Sequence, residues 1–143
     1  MAKPFIHDKA KYHINEHFPE ELSPFQAHVH TGMFLGWIID HQLYSKSFER
    51  DGADEIIKFH KRELTGSQIY ELYDGVFDSD MLSSEGHAFA MAYFDFDNGS
   101  YLNDYCDEVF TDLKSVFHVE DTWDNYDKLK EVIDRRYSEW INK

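Results

Sequence analysis

Nine histidines among 143 residues are the first place to look for chemistry, because imidazole titrates near neutrality and is the commonest metal ligand. His28 and His30 are two apart, which on a helix turns them roughly 200° away from each other, so they cannot share an ion from one helix face. His13 and His17 have the four-residue spacing that one face requires, but they precede Phe18-Pro19 in a stretch with little helical pattern. There is no HExxH, no CxxC and no HxH in a strand pattern. No metal site and no cofactor is expected, and the histidines read as core or solvent-facing groups.

The carboxylates fail the calcium test as well. A loop opening at Asp74 would put Asp78 and Glu85 at positions 5 and 12 of an EF-hand, but Val76 falls at position 3 and Ser79 where the turn needs glycine. Asp95-x-Asp97-x-Gly99 ends on Cys106 where an acid is needed. Cys106 itself lies in Asp104-Tyr105-Cys106-Asp107-Glu108, where negative neighbours disfavour the thiolate a nucleophile requires. No GxSxG elbow exists, and Gly32-x-x-x-Gly36 lies in a helical pattern with no Walker lysine after it. No catalytic residue is assigned, and an enzyme is not expected.

The charge points to a binding protein. The formal net charge is −14, which argues against nucleic-acid and anionic-membrane binding, since both need a basic face. Residues 74–127 hold 14 acids against the single base Lys114, while the rest of the chain is almost neutral. Eleven aromatics from Phe77 to Tyr126 are interleaved with those acids, so the segment should fold and present a negative face with aromatic edges. Such a surface suits a basic protein partner: charge steers the encounter and buried rings anchor it. The expected contacts are Asp95, Asp97, Asp104, Asp107, Glu108, Glu120, Asp121 and Asp124, with Tyr101, Tyr105 and Trp123 as anchors.

The elements that must carry these residues read as mainly α: one compact helical domain over residues 1–143, with room for one or two short strands. The three prolines, Pro4, Pro19 and Pro24, lie near the start, which suggests an irregular arm over 1–19. Ser23-Pro24 should begin a central buried helix over about 24–43, with serine as cap and proline in its first turn. Phe25, Val29, Met33 and Trp37 share one face of it, and Phe34, Leu35, Ile38 and Ile39 extend apolarity around the rest. Gly32 and Gly36, one turn apart, would let a neighbouring helix come close.

Further helices are expected over Ala53–Leu64, with a stripe of Ile56, Ile57, His60 and Leu64, and over Ser67–Tyr73. Gly86–Phe96 reads as helix in spite of its alternating end, and Ser115–Val119 as an isolated extended piece. Thr122 should cap an amphipathic C-terminal helix over about 122–141 whose Tyr126, Leu129, Ile133, Tyr137 and Trp140 share a face. A lone cysteine, the lack of a signal-like start and a longest apolar run of eight residues, Gly32–Ile39, make the cytoplasm the expected location.

Four stretches carry a family likeness: Gln26-Ala27-His28-Val29-His30-Thr31-Gly32-Met33-Phe34-Leu35-Gly36-Trp37, Glu63-Leu64-Thr65-Gly66, Tyr93–Phe96 with Tyr101–Tyr105, and His118–Tyr126. Together, from Lys11 to Trp140, they resemble a family of small, uncharacterised, acidic bacterial single-domain proteins. The resemblance brings no activity and no catalytic residue. By analogy of type, small acidic bacterial proteins of this kind are often immunity proteins, which bind and block a toxin. The expected function is therefore an immunity protein that neutralises a basic toxin such as a nuclease domain. Two alternatives stand beside it: a small hydrolase or metal-dependent enzyme using His28 or His30 with nearby carboxylates, and a structural or regulatory homo-oligomer.

Overall fold

The computed structural model describes residues 3–143. At its centre lies α1 (Val29–Asp40), in which every residue from Val29 to Ile39 is buried. A helix apolar on all sides has no solvent face to offer, so the other elements close around it. Its start differs from the sequence reading in one respect. Pro24–His28 forms a 3-10 turn that leads into α1, and the Ser23 hydroxyl makes no capping bond. The chain then runs through α2 (Lys46–Asp51), α3 (Ala53–His60) and α4 (Gly66–Leu72). Thr65 caps α4 in a capping box with Gln68.

The glycine pair works as its spacing suggested. Helix α4 crosses α1 where Gly32 meets Ser67 and Gly66 meets both Gly32 and Gly36, backbone against backbone. At the other end of the chain α7 (Trp123–Ile141), capped by Thr122, buries Tyr126, Leu129 and Ile133. It is pinned to α1 by polar ties: Trp37 donates to Asp134 at 2.8 Å, His41 lies 2.7 Å from the same carboxylate, and the Tyr126 hydroxyl donates to Asp40.

The arm is irregular only in part. Ile6–Lys9 form a strand, β1, antiparallel to β2 (Val76–Asp78), and Ala10–Tyr12 add a 3-10 turn. The register slips between Ile6 and Asp8, so Asp8 opposes Phe77 and both His7 and Asp8 are carried toward the core. Two short helices, α5 (Ser84–Phe89) and α6 (Tyr101–Asn103), each widen into a π-turn, over Ala90–Phe94 and Asp104–Val109. Tyr93 to Phe96 therefore make no strand. Val116–His118 is a 3-10 turn rather than an extended piece, because the Ser115 side chain accepts from the Phe117 N–H and folds the backbone back.

One half-buried ion pair, with the carboxylate inside and the guanidinium 35% exposed, joins three of these elements. Arg136 of α7 grips both oxygens of Asp104 at 2.9 Å, and Tyr93 donates to the same carboxylate at 2.7 Å. Burial alone would raise this carboxyl, but the hydrogen bonds from Arg136 and Tyr93 outweigh it and hold the group below its ordinary range. Removing one partner strands a carboxylate whose side chain is 4% exposed. Arg136→Ala should cost about 3 kcal/mol, read as a lower denaturant midpoint at unchanged m-value. A loss under about 1 kcal/mol would mean that solvent already carries the charge.

Candidate functional site

Three residues far apart in sequence meet under the arm. Asp8 comes from β1, His13 from the turn after it and His30 from the first turn of α1. His13 Nε2 lies 2.9 Å and 3.0 Å from the two Asp8 oxygens, and the Thr31 hydroxyl donates to Asp8 at 2.6 Å. His30 Nε2 stands 3.9 Å from Asp8, beyond hydrogen-bond reach. One donor atom from each of the three side chains can be chosen so that all lie within 4.8 Å of one another. This is the group among the described residues that could hold a metal ion.

The surroundings of this centre are aromatic. The His30 ring packs against His13, Phe96 and Phe117 at centroid distances of 4.8, 5.7 and 5.7 Å, with Tyr105 at 6.4 Å. Burial pushes the His30 imidazole down to about 4; Asp8 opposes the shift, and His13 and His28 add to it. Burial would raise the Asp8 carboxyl, but the His13 hydrogen bond, the two nearby rings and Thr31 together hold it below its ordinary range. Three buried polar side-chain atoms of the described residues lack a hydrogen-bond partner: His30 Nδ1 and the hydroxyls of Tyr70 and Tyr105. Tyr70 packs on the Asp8 side and Tyr105 against the His30 ring. His30 is nearly closed to solvent, at 1% exposure, whereas His13 keeps 19%.

The sequence ruled out His28 with His30, and rightly, since His28 turns toward Phe25 and Tyr70. It missed the centre because the partners come from an arm read as irregular. No spacing between residues 8, 13 and 30 could announce it.

The acidic segment divides into structure and surface. Tyr101 and Tyr105 are fully buried, four residues apart on the inward face of their helix, so they cannot be surface anchors. Tyr101 donates to the His30 carbonyl instead. Asp104 is the buried partner of Arg136 and is lost from the contact surface too. Asp121 accepts from Thr65 and Ser67, fastening the loop before α7 to α4, and its carboxyl is raised by burial in spite of these bonds. Trp123 is half-buried beneath the Arg62 guanidinium, 4.6 Å from its ring, and Glu108 pairs with Arg135. Asp95 is half-buried and accepts from the Asp97 N–H to close a turn.

Asp97, Asp107, Glu120 and Asp124 remain exposed. Of the 14 acids, Asp104, Glu108 and Asp127 pair with an arginine; the described residues bring no Lys or Arg within 4.0 Å of the other eleven. Two adjoining shallow hollows share Phe110, Thr111 and Leu113; Asp107 lines one, Asp112 and Glu120 the other. Leu113 is 44% exposed beside half-buried Phe110, whereas Tyr101 and Tyr105 are buried. Cys106 borders this face with a thiol pushed up by burial and then by Asp107, the direction expected of a non-nucleophile.

A mainly helical protein with a two-stranded patch over its central helix, bearing a histidine–carboxylate centre and an acidic face, is the class these features define. Residues 6–119 match the family described as Domain of unknown function (DUF7832), and the chain belongs to it. The matched stretch includes Asp8, His13 and His30 and stops at Val119, before α7. No curated protein and no solved structure matches the chain. No helix among the described residues is long and apolar enough to cross a membrane.

Proposed function

We propose that this protein is a cytoplasmic binding protein of the immunity type, which neutralises a basic toxin or effector, such as a nuclease domain, by covering its active surface. The observation that carries the reading is the face over residues 107–124. There Asp107, Asp112 and Glu120 stand around the apolar pair Phe110 and Leu113 with no Lys or Arg of the described residues within 4.0 Å, and Lys114 is the base that shares the lining. Unpaired surface charge brings little stability to the protein that bears it, but it accelerates encounter with an opposite charge and fixes orientation. The apolar pair then gives the docked complex something to bury.

Co-expression with the product of the adjacent gene tests the proposal. A stable complex and rescued growth are expected, with the association rate falling at least tenfold between low and high salt. Asp112→Lys with Glu120→Lys should slow association further and leave the fold intact, since both side chains are exposed. An on-rate indifferent to salt and to these reversals removes the steering argument. Neither complex nor rescue, beside an active toxin control, removes the function.

A second reading, a metal-dependent or hydrolytic enzyme, is favoured by the convergence of His30 with Asp8 and His13. It is the weaker one because Asp8 and His30 are 3% and 1% exposed, so a substrate would reach only the His13 edge.

A further inference from the structure

We propose that Asp8, His13 and His30 form a binding site for one divalent transition-metal ion of the zinc class, which clips the N-terminal arm to the central helix. The donor set is two imidazoles and one carboxylate. That combination suits zinc, cobalt or nickel and is poorly suited to calcium or magnesium, which take oxygen ligands.

The spacing is close to what such an ion needs. Bonds of about 2.0–2.1 Å in a tetrahedral arrangement set donor atoms roughly 3.3 Å apart. Asp8 and His13 are at 2.9 Å, and Asp8 and His30 at 3.9 Å, so the two separations bracket that value. The three donor atoms all lie within 4.8 Å of one another, so seating the ion draws His30 toward Asp8 and the two imidazoles together.

His30 supplies the independent observation. An imidazole buried to 1% exposure normally has both ring nitrogens satisfied, yet Nδ1 has no partner and Nε2 sits too far from Asp8 to hydrogen-bond. The ring is thus held by aromatic packing alone, facing a carboxylate it does not bond. Thr31 donates to Asp8 Oδ2, the oxygen that faces His30, and so fixes the orientation of the carboxylate. His13 must present its Nε2 lone pair, so the tautomer protonated on Nδ1 binds, and its hydrogen bond to Asp8 gives way to the metal. A fourth ligand such as water would have to enter at His13, the one of the three side chains with appreciable exposure.

The experiment uses the full chain stripped with chelator and titrated with zinc or cobalt. One equivalent should bind, cobalt should give the visible absorption bands of tetrahedral coordination, and the melting temperature should rise with zinc. His13→Gln, at the partly exposed ligand, should weaken binding at least tenfold while the apo protein stays folded; His17→Gln, an exposed histidine outside the centre, should change nothing. Binding of less than one equivalent, octahedral cobalt spectra, or equal affinity in His13→Gln and the unsubstituted protein would overturn the site. If His30→Gln does not fold, the His13 variant still decides the question.

Discussion

Gly66→Ala should unfold the protein or remove at least about 3 kcal/mol of its stability, a large share of the roughly 5–15 kcal/mol that holds a domain together. A methyl at this position would stand 2.1 Å from the Gly32 carbonyl oxygen, 2.8 Å from Gly36 N and 2.9 Å from its Cα. All three are backbone atoms of the buried helix and cannot rotate aside, so α4 would have to lift off α1 as a body. Gly32→Ala should be comparably severe, because its methyl would meet Ser67 Cα at 2.3 Å and Ser67 N at 2.7 Å.

Gly36→Ala is the internal control. Its methyl meets only ring atoms, Phe59 at 3.0 and 3.2 Å and Tyr126 at 3.3 Å, and these can yield by a few tenths of an ångström. The alanine also gains up to about 1 kcal/mol of helix propensity, so the net change should stay within about 1 kcal/mol. Equilibrium denaturation of the three variants measures the order. If Gly66→Ala proves as mild as Gly36→Ala, the helices do not cross at backbone contact.

This crossing is also where sequence and structure agree most closely. Gly32 and Gly36 one turn apart in an apolar run announce a close neighbour, and the pattern places a helix at Ser67–Tyr73, although the Thr65–Gln68 capping box that starts it at Gly66 shows only in the structure. Both are local signals, written within one turn of helix, and so are the buried α1 and the amphipathic α7. The histidine–carboxylate centre has no such signal. Asp8 reaches it only because β1 pairs with β2, nearly 70 positions along the chain, and slips register at the right place. The acidic face was legible in part: its charge shows in the composition, but which ring points inward depends on helix phase. Tyr101 and Tyr105 took the core, and Leu113, in a stretch with no periodicity, took the surface.

Acid should loosen the protein between pH 6.5 and pH 4, and the seam of the arm should yield first. Burial, with His87 at 3.0 Å as a second cause, pushes His7 down to about 4, and burial does the same to His30. In the unfolded chain both would titrate near 6.5. Below that pH the unfolded state binds protons the native state refuses, so stability falls as pH drops and levels off only near 4. A shift of this size in His30 corresponds to about 3 kcal/mol. His7 adds less, because its ring is only partly buried and water screens it. The Asp8 and Asp104 carboxyls are held low in the native state, so their contribution persists through this window and is lost at lower pH.

Denaturant titrations at pH 7 and pH 5 should therefore differ by at least about 2 kcal/mol, and His7→Gln should flatten that difference measurably. Amide exchange over residues 5–13 should accelerate before exchange in α1 does, since His7 and His30 lie on the two sides of the seam between arm and core. Equal stability at the two pH values would show that both rings are protonated in the folded state. Zinc should raise stability at pH 7 without flattening the acid loss: an ion seated on His30 holds that ring unprotonated in the native state, so on acidification the unfolded chain still takes up the proton alone.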